Sequence, residues 1–227
     1  MTTHLITGAG SGIGAEVARR LHDRGDRLVL VSRSLQRTSQ LQARFPGALH
    51  LVADLSRPEM VDAVATDLPD ELDSLVHAAG VVELGTVGEL SVEDWASQLQ
   101  VNLVAPAALT RAALPALRAA RGTVVFVNSG AGLRAHAGWS AYAASKHGLR
   151  ALADSLRAEE SEHGVRVSSV FPGRTATPMQ EKVHRQESKE YDAGQWTRPE
   201  TVADTIVRLI DLPRDATIPE LVLRPGP

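Results

Sequence analysis

The sequence contains no cysteine, so disulfides and thiolate metal centres are excluded. Aromatic residues make up only 4% of the 227 residues, and no aromatic platform points to a particular ligand. No apolar run is long enough to span a bilayer. Charge of either sign is not in excess. The net charge is -3 and the pI about 6.2, which argues against nucleic acid or a membrane surface as partner. Repeats, low-complexity tracts and linkers are also missing, so residues 1–227 are expected to form a single domain, long enough to bury a sizeable core. Thr3 to Thr7 already reads as a strand, which leaves no room for a signal peptide and makes a cytoplasmic location the default expectation.

What is present is an alternation. Short apolar strands are expected at Thr3–Thr7, Arg27–Ser32, Leu49–Ala53, Leu72–His77, Thr123–Asn128, Arg166–Phe171 and Glu220–Leu223. Helical patterns lie between them, near 13–25, 35–45, 58–68, 91–103, 104–120, 140–163 and 199–211. Buried strands alternating with helices predict an α/β fold, a doubly wound parallel sheet of about seven strands. Such sheets bind ligands at the carboxyl ends of their strands.

The first strand runs into Thr7-Gly8-Ala9-Gly10-Ser11-Gly12-Ile13-Gly14 and then a helix. Glycines let the backbone turn tightly and approach a phosphate, and the free amides of the helix N-terminus hold the anion. No Lys-Ser or Lys-Thr follows, so this is not a nucleotide-hydrolase loop. The second strand ends at Ser32-Arg33-Ser34. No acid lies between Asp26 and Asp54 to accept from a free ribose hydroxyl. Arg33 instead suits a 2′-phosphate, which predicts NADP(H) in preference to NAD(H), with Ser11, Ser32 and Ser34 as further donors. Asp54, followed by Leu55, is either an adenine contact or the cap of the next turn. Ala79 and Gly80 are small enough to let backbone lie against a flat cofactor.

Ser140 to Gly164 reads as one long helix carrying Tyr142 and Lys146, four residues apart and on one face. A lysine beside a phenol favours the phenolate and is expected to lower the tyrosine pKa, giving an acid/base near neutral pH. Ser129, at the end of a central strand, is placed to share a substrate oxygen with Tyr142; as a bare residue it is equally a turn serine. Asn102 is a helix-end polar residue. Met179 to Gln195 is polar and weakly periodic, and with its flanks (about 178–196) it reads as a short mobile lid. Val81, Val82, Ala131, Leu133, Arg134, His136, Trp139, Met179 and Trp196 are the expected pocket lining, with Arg134 and His136 facing solvent at its mouth.

Taken together, TGAGSGIG at 7–14, Asp54-Leu55, Ala79-Gly80, Asn102, Ser129, YAASK at 142–146 and PGRTAT at 172–177 resemble the short-chain dehydrogenase/reductase family over essentially the whole chain. The resemblance implies a Rossmann-type fold and hydride transfer between a nicotinamide and a carbonyl or alcohol, without a metal. It implies Tyr142 as general acid and base, Lys146 as its pKa partner and a ribose ligand, Ser129 orienting the substrate oxygen, and Asn102 holding a relay water. It implies cofactor contacts from Gly8, Gly12, Ile13 and Gly14 at one end and from Pro172, Gly173 and Thr175 at the other. A homodimer or homotetramer built on the 107–120 and 140–164 helices is implied in the same way. His77-Ala78 departs from the Asn-Asn frequent in the family. An NAD-dependent alcohol dehydrogenase and a non-catalytic NADP-sensing regulator are the alternatives. A sugar-nucleotide epimerase would normally need a larger substrate domain.

Overall fold

The computed structural model describes residues 1–226. Seven strands form one parallel sheet: β1 (Thr3–Thr7), β2 (Arg27–Ser32), β3 (Leu49–Val52), β4 (Ser74–His77), β5 (Thr123–Val127), β6 (Arg166–Pro172) and β7 (Glu220–Leu223), in the order β3-β2-β1-β4-β5-β6-β7. The order reverses between β1 and β4, where His4 pairs with Ser74 and Thr7 with His77. That is the place where a crevice opens above the strand ends.

The helices are α1 (Gly12–Asp23), α2 (Leu35–Arg44), α3 (Met60–Val64), α4 (Val92–Leu99), α5 (Ala105–Ala120), α6 (Ser140–Glu159), α7 (Pro178–Gln186) and α8 (Pro199–Ile210). No described helix is long and apolar enough to cross a membrane. Alternate strand residues point to opposite faces, so each strand feeds two cores. Leu5, Val29, Leu75, Val124 and Phe126 pack with Leu109, Leu117, Leu149 and Leu156 of α5 and α6. Ile6, Leu28, Leu30, Val76 and Val125 pack with Val17, Leu21, Val202 and Ile206 of α1 and α8. A fully buried leucine such as Leu117 contributes about 2 kcal/mol by removal from water.

Several expected boundaries shift. The long helix ends at Glu159, five residues before Gly164, because the chain turns there and Gly164 adopts φ +72°. The 58–68 pattern is a short α3 followed by a 3₁₀ turn at Ala65–Asp67. Between α4 and α5 a π turn, Gln100–Val104, keeps the chain helical through what was expected as a break. The largest correction concerns the lid, whose first half is α7. Thr177 caps α7 by accepting from the Gln180 N–H at 3.3 Å, and Pro178 takes the first helical position.

Candidate active site

The glycine-rich loop is closely fitted to the end of β4. Gly8 adopts φ +74°, and a Cβ there would lie 2.7 Å from the Ala78 carbonyl and the Ala79 nitrogen. A Cβ on Gly14 would lie 2.5 Å from the Gly8 carbonyl oxygen. Thr7 holds the same junction, its Oγ1 accepting from the Ala78 and Ala79 N–H groups at 3.1 Å each. Thr7 and Gly14 therefore shape the loop from behind and do not line the cleft. Ser11 precedes α1 without a side-chain capping bond, and the first turn of α1 carries no acidic residue. The leading amides of α1 are thus left for an anion.

A single cleft of about 1090 Å³ runs from this loop in both directions. At one end its walls are Ser32, Arg33, Arg37, Gln40, Asp54 and Leu55. Arg33 is exposed. Arg37 donates to Gln40 Oε1 at 2.8 Å. Ser32 is buried and its hydroxyl is bonded to that of Thr38 at 2.6 Å. Ser34 is the N-cap of α2, accepting from the Arg37 N–H, and it lies off the cleft wall. Two of the three serines expected as phosphate donors, Ser32 and Ser34, are thus engaged in starting α2. Asp54 accepts from the N–H and hydroxyl of Ser56 at 3.0 and 2.8 Å, the turn-capping arrangement, while still lining the cleft.

At the other end Ser129, Tyr142 and Lys146 share one wall with Ala79, Gly80, Pro172, Gly173 and Thr175. Tyr142 is 6% and Lys146 4% exposed. Lys146 Nζ donates to the Val127 carbonyl at 3.0 Å and lies 5.8 Å from the Tyr142 ring centre. Burial pulls the lysine down to about 8. Burial also pushes the Tyr142 phenol above its ordinary value, opposed by a hydrogen bond with the Ser129 hydroxyl. The phenol is thus shifted opposite to the expected lowering, because loss of water disfavours the phenolate.

Asn102 lies close to Lys146, the Asn102 Oδ1 and the Lys146 Nζ both falling within 4 Å of the position a Gly80 Cβ would take. It sits in the π turn, 1% exposed and behind the wall. Its Oδ1 accepts from Val81 N–H, and its Nδ2 donates to Val81 O, both at 2.9 Å, and to Ser145 Oγ at 3.0 Å. The side chain therefore clamps the segment after β4 to α6. Asn128 makes a matching clamp that was missed in the sequence: it accepts from Ser129 N–H at 2.9 Å and donates to the Lys146 carbonyl at 3.1 Å. A polar residue ending the apolar run of β5 was its only signal.

Val81, Val82, Ala131, His136, Trp139 and Met179 line the cleft as expected, whereas Leu133, Arg134 and Trp196 do not. Arg134 projects into solvent, and Trp196 packs beneath Arg174 and against His184. Gln180, Val183, Arg174 and Glu187 are wall residues not foreseen. The α7 segment is tied across the mouth by Lys182, which reaches Glu83 at 2.6 Å and the Val82 carbonyl at 2.8 Å.

Fold and cleft together define an α/β protein with an anion-ready glycine loop at its switch point and a Ser–Tyr–Lys group in the same cleft. The family model described as short chain dehydrogenase matches residues 2–188, and the chain belongs to that oxidoreductase family. An uncharacterized oxidoreductase of Staphylococcus epidermidis is 28% identical over 226 residues, covering 97% of this chain and 96% of the relative. The alcohol dehydrogenase of the archaeon Thermococcus sibiricus, complexed with 5-hydroxy-NADP, superposes with a TM-score of 0.88 at 26% identity, covering 99% of this chain and 97% of that one. A metagenomic short-chain oxidoreductase in complex with NADP gives 0.82 at 31% identity, covering 99% and 97%.

Proposed function

We propose that the protein is an NADP(H)-dependent oxidoreductase that interconverts a carbonyl compound and its alcohol. The observation that carries this reading is the shared wall of Ser129, Tyr142 and Lys146 in the same cleft as the glycine loop. The cleft suits a dinucleotide. The uncapped α1 amides and Gly8–Gly12 would hold the diphosphate, and Arg33 with Arg37 would take a 2′-phosphate as forked donors. A bound nicotinamide would supply or accept hydride at the reacting carbon.

The chain's own part is the proton. For reduction, the Tyr142 hydroxyl gives its proton to the carbonyl oxygen as that oxygen gains negative charge, while the Ser129 hydroxyl donates a hydrogen bond to the same oxygen. For oxidation, the Tyr142 phenolate takes the proton from the alcohol. Lys146 provides positive charge beside the phenol, and Asn102 and Asn128 fix the two segments that carry Val81 and Ser129. The α7 segment is the lid over the reacting end, its Met179 and Val183 packing near Tyr142 and Val82.

The test is calorimetric titration with NADPH and with NADH, followed by a carbonyl screen and the Tyr142→Phe variant. Tight NADPH, weak NADH and a fall in turnover of at least about 100-fold in the variant, with cofactor affinity retained, are expected. Full turnover by Tyr142→Phe would refute the assignment.

A further inference from the structure

The reacting end of the cleft holds a guanidinium that is already occupied. Arg174 leaves β6 just after Gly173 and lines the cleft together with Glu187. Its Nη2 donates to both carboxylate oxygens of Glu187, at 2.7 and 2.9 Å, and its guanidinium lies 5.4 Å over the Trp196 ring. Lys189 adds a second cation to Glu187 at 3.3 Å. Glu187 thus sets a negative charge directly against the guanidinium, so that an incoming carboxylate would meet repulsion beside any attraction at this point of the lining.

Of the other cations nearby, one is buried and the rest lie at the rim or outside the lining. Lys146 is buried and donates to Val127. Arg224 lies against Gly130 but outside the cleft lining, and His136 is an exposed rim residue. The walls around Tyr142 are Val82, Ala131, Met179 and Val183. A substrate carboxylate entering here would lose water against apolar side chains, and the cation in the lining that it could meet already faces Glu187. To reach Arg174 it would have to displace a carboxylate that the chain itself holds in place.

We infer that Glu187 is a specificity-determining residue which, by occupying Arg174, restricts the site to uncharged carbonyl compounds with apolar flanks. This rests on the carbonyl–alcohol reading proposed above. Specificity of this kind comes from removing an attraction that a competing substrate needs. The same arrangement makes the selectivity reversible by one substitution, because Arg174 remains at the wall once its partner is gone.

The experiment measures kcat/KM with NADPH for a 2-oxo ester and its matching 2-oxo acid. The wild-type ester-to-acid ratio is the reference. In Glu187→Gln the ester-to-acid ratio should fall by about tenfold or more through a gain on the acid, and Glu187→Ala should move it the same way. Because the ratio is compared between proteins, the different intrinsic reactivity of ester and acid cancels. An unchanged ester-to-acid ratio in both variants would overturn the inference. NADPH binding with no turnover of any carbonyl would instead remove the catalytic reading beneath it.

Discussion

His77 gives the sharpest stability prediction. Its ring is 3% exposed and stacks on Phe126 at 4.9 Å with the planes 7° apart. Its Nε2 is bonded to Thr110 Oγ1 at 2.9 Å, and no charged partner offsets the loss of water. Burial holds its pKa at about 3, against 6.5 for an ordinary histidine. The unfolded chain therefore takes up a proton below 6.5 while the folded chain stays neutral down to about 3. In that window the unfolded state binds more protons, so stability falls as the pH falls. The slope approaches about 1.4 kcal/mol per pH unit, which gives a loss of about 2 kcal/mol between about pH 8 and about pH 5. His4, also lowered by burial although Asp26 opposes the shift, acts in the same direction. The His77 share is isolated by urea unfolding of the cofactor-free wild type and of His77→Asn at both pH values. Asn keeps a hydrogen-bonding group toward Thr110 but cannot titrate. The variant starts less stable for want of the ring, yet its stability should fall by about 2 kcal/mol less across the interval. Parallel losses in the two proteins would refute the reasoning.

Three further outcomes are expected. Arg33→Ala should weaken NADPH by about 10- to 100-fold and NADH by little, read by calorimetry, since only the former offers a phosphate for a charge-assisted bond. Gly14→Ala should lower the midpoint of thermal unfolding, costing about 1–3 kcal/mol because its Cβ meets backbone, whereas Gly10→Ala, with nothing within 4 Å, should stay within about 0.5 kcal/mol. Alcohol oxidation should rise with pH from about 7 to about 10, because the raised phenol of Tyr142 makes the phenolate scarce at neutral pH; carbonyl reduction, which uses the phenol, should not decline until the phenol itself ionises. An oxidation rate that is flat over that range would count against Tyr142 as the base.

Much of this molecule was legible because its signals are local. The apolar strands and the period of α1, α5 and α8 come from side chains that meet water or core within one element, and β1, β2 and β7 fall where expected, residue for residue. The α7 helix was not legible because its buried face is partly polar. Gln180 and His184 are 8% and 3% exposed and satisfy each other at 3.0 Å, so the helical repeat carries little hydrophobic contrast. The roles of Ser34 and Asn102 were hidden for another reason. Each has a polar side chain with several possible partners, and only the assembled fold decides that Ser34 meets Arg37 N–H and Asn102 meets Val81. The direction of the Tyr142 shift likewise depends on how much water reaches the phenol, which spacing along a helix does not encode.

The π turn at Gln100–Val104 has a consequence for how the chain can vary in length. A π turn holds one residue more than an α-turn, so excising a single residue there would restore regular winding. Side chains beyond the cut would then keep nearly the same facing relative to α4, because the wider turn had already accommodated the extra residue. Leu109, Ala113 and Leu117 could stay on the sheet, whereas the same deletion made within α5 before Leu109 would turn all three away from it by about 100°. A one-residue deletion in these five residues could therefore be absorbed locally, as in a loop, while an insertion would have to widen the turn further or rotate α5 off the sheet.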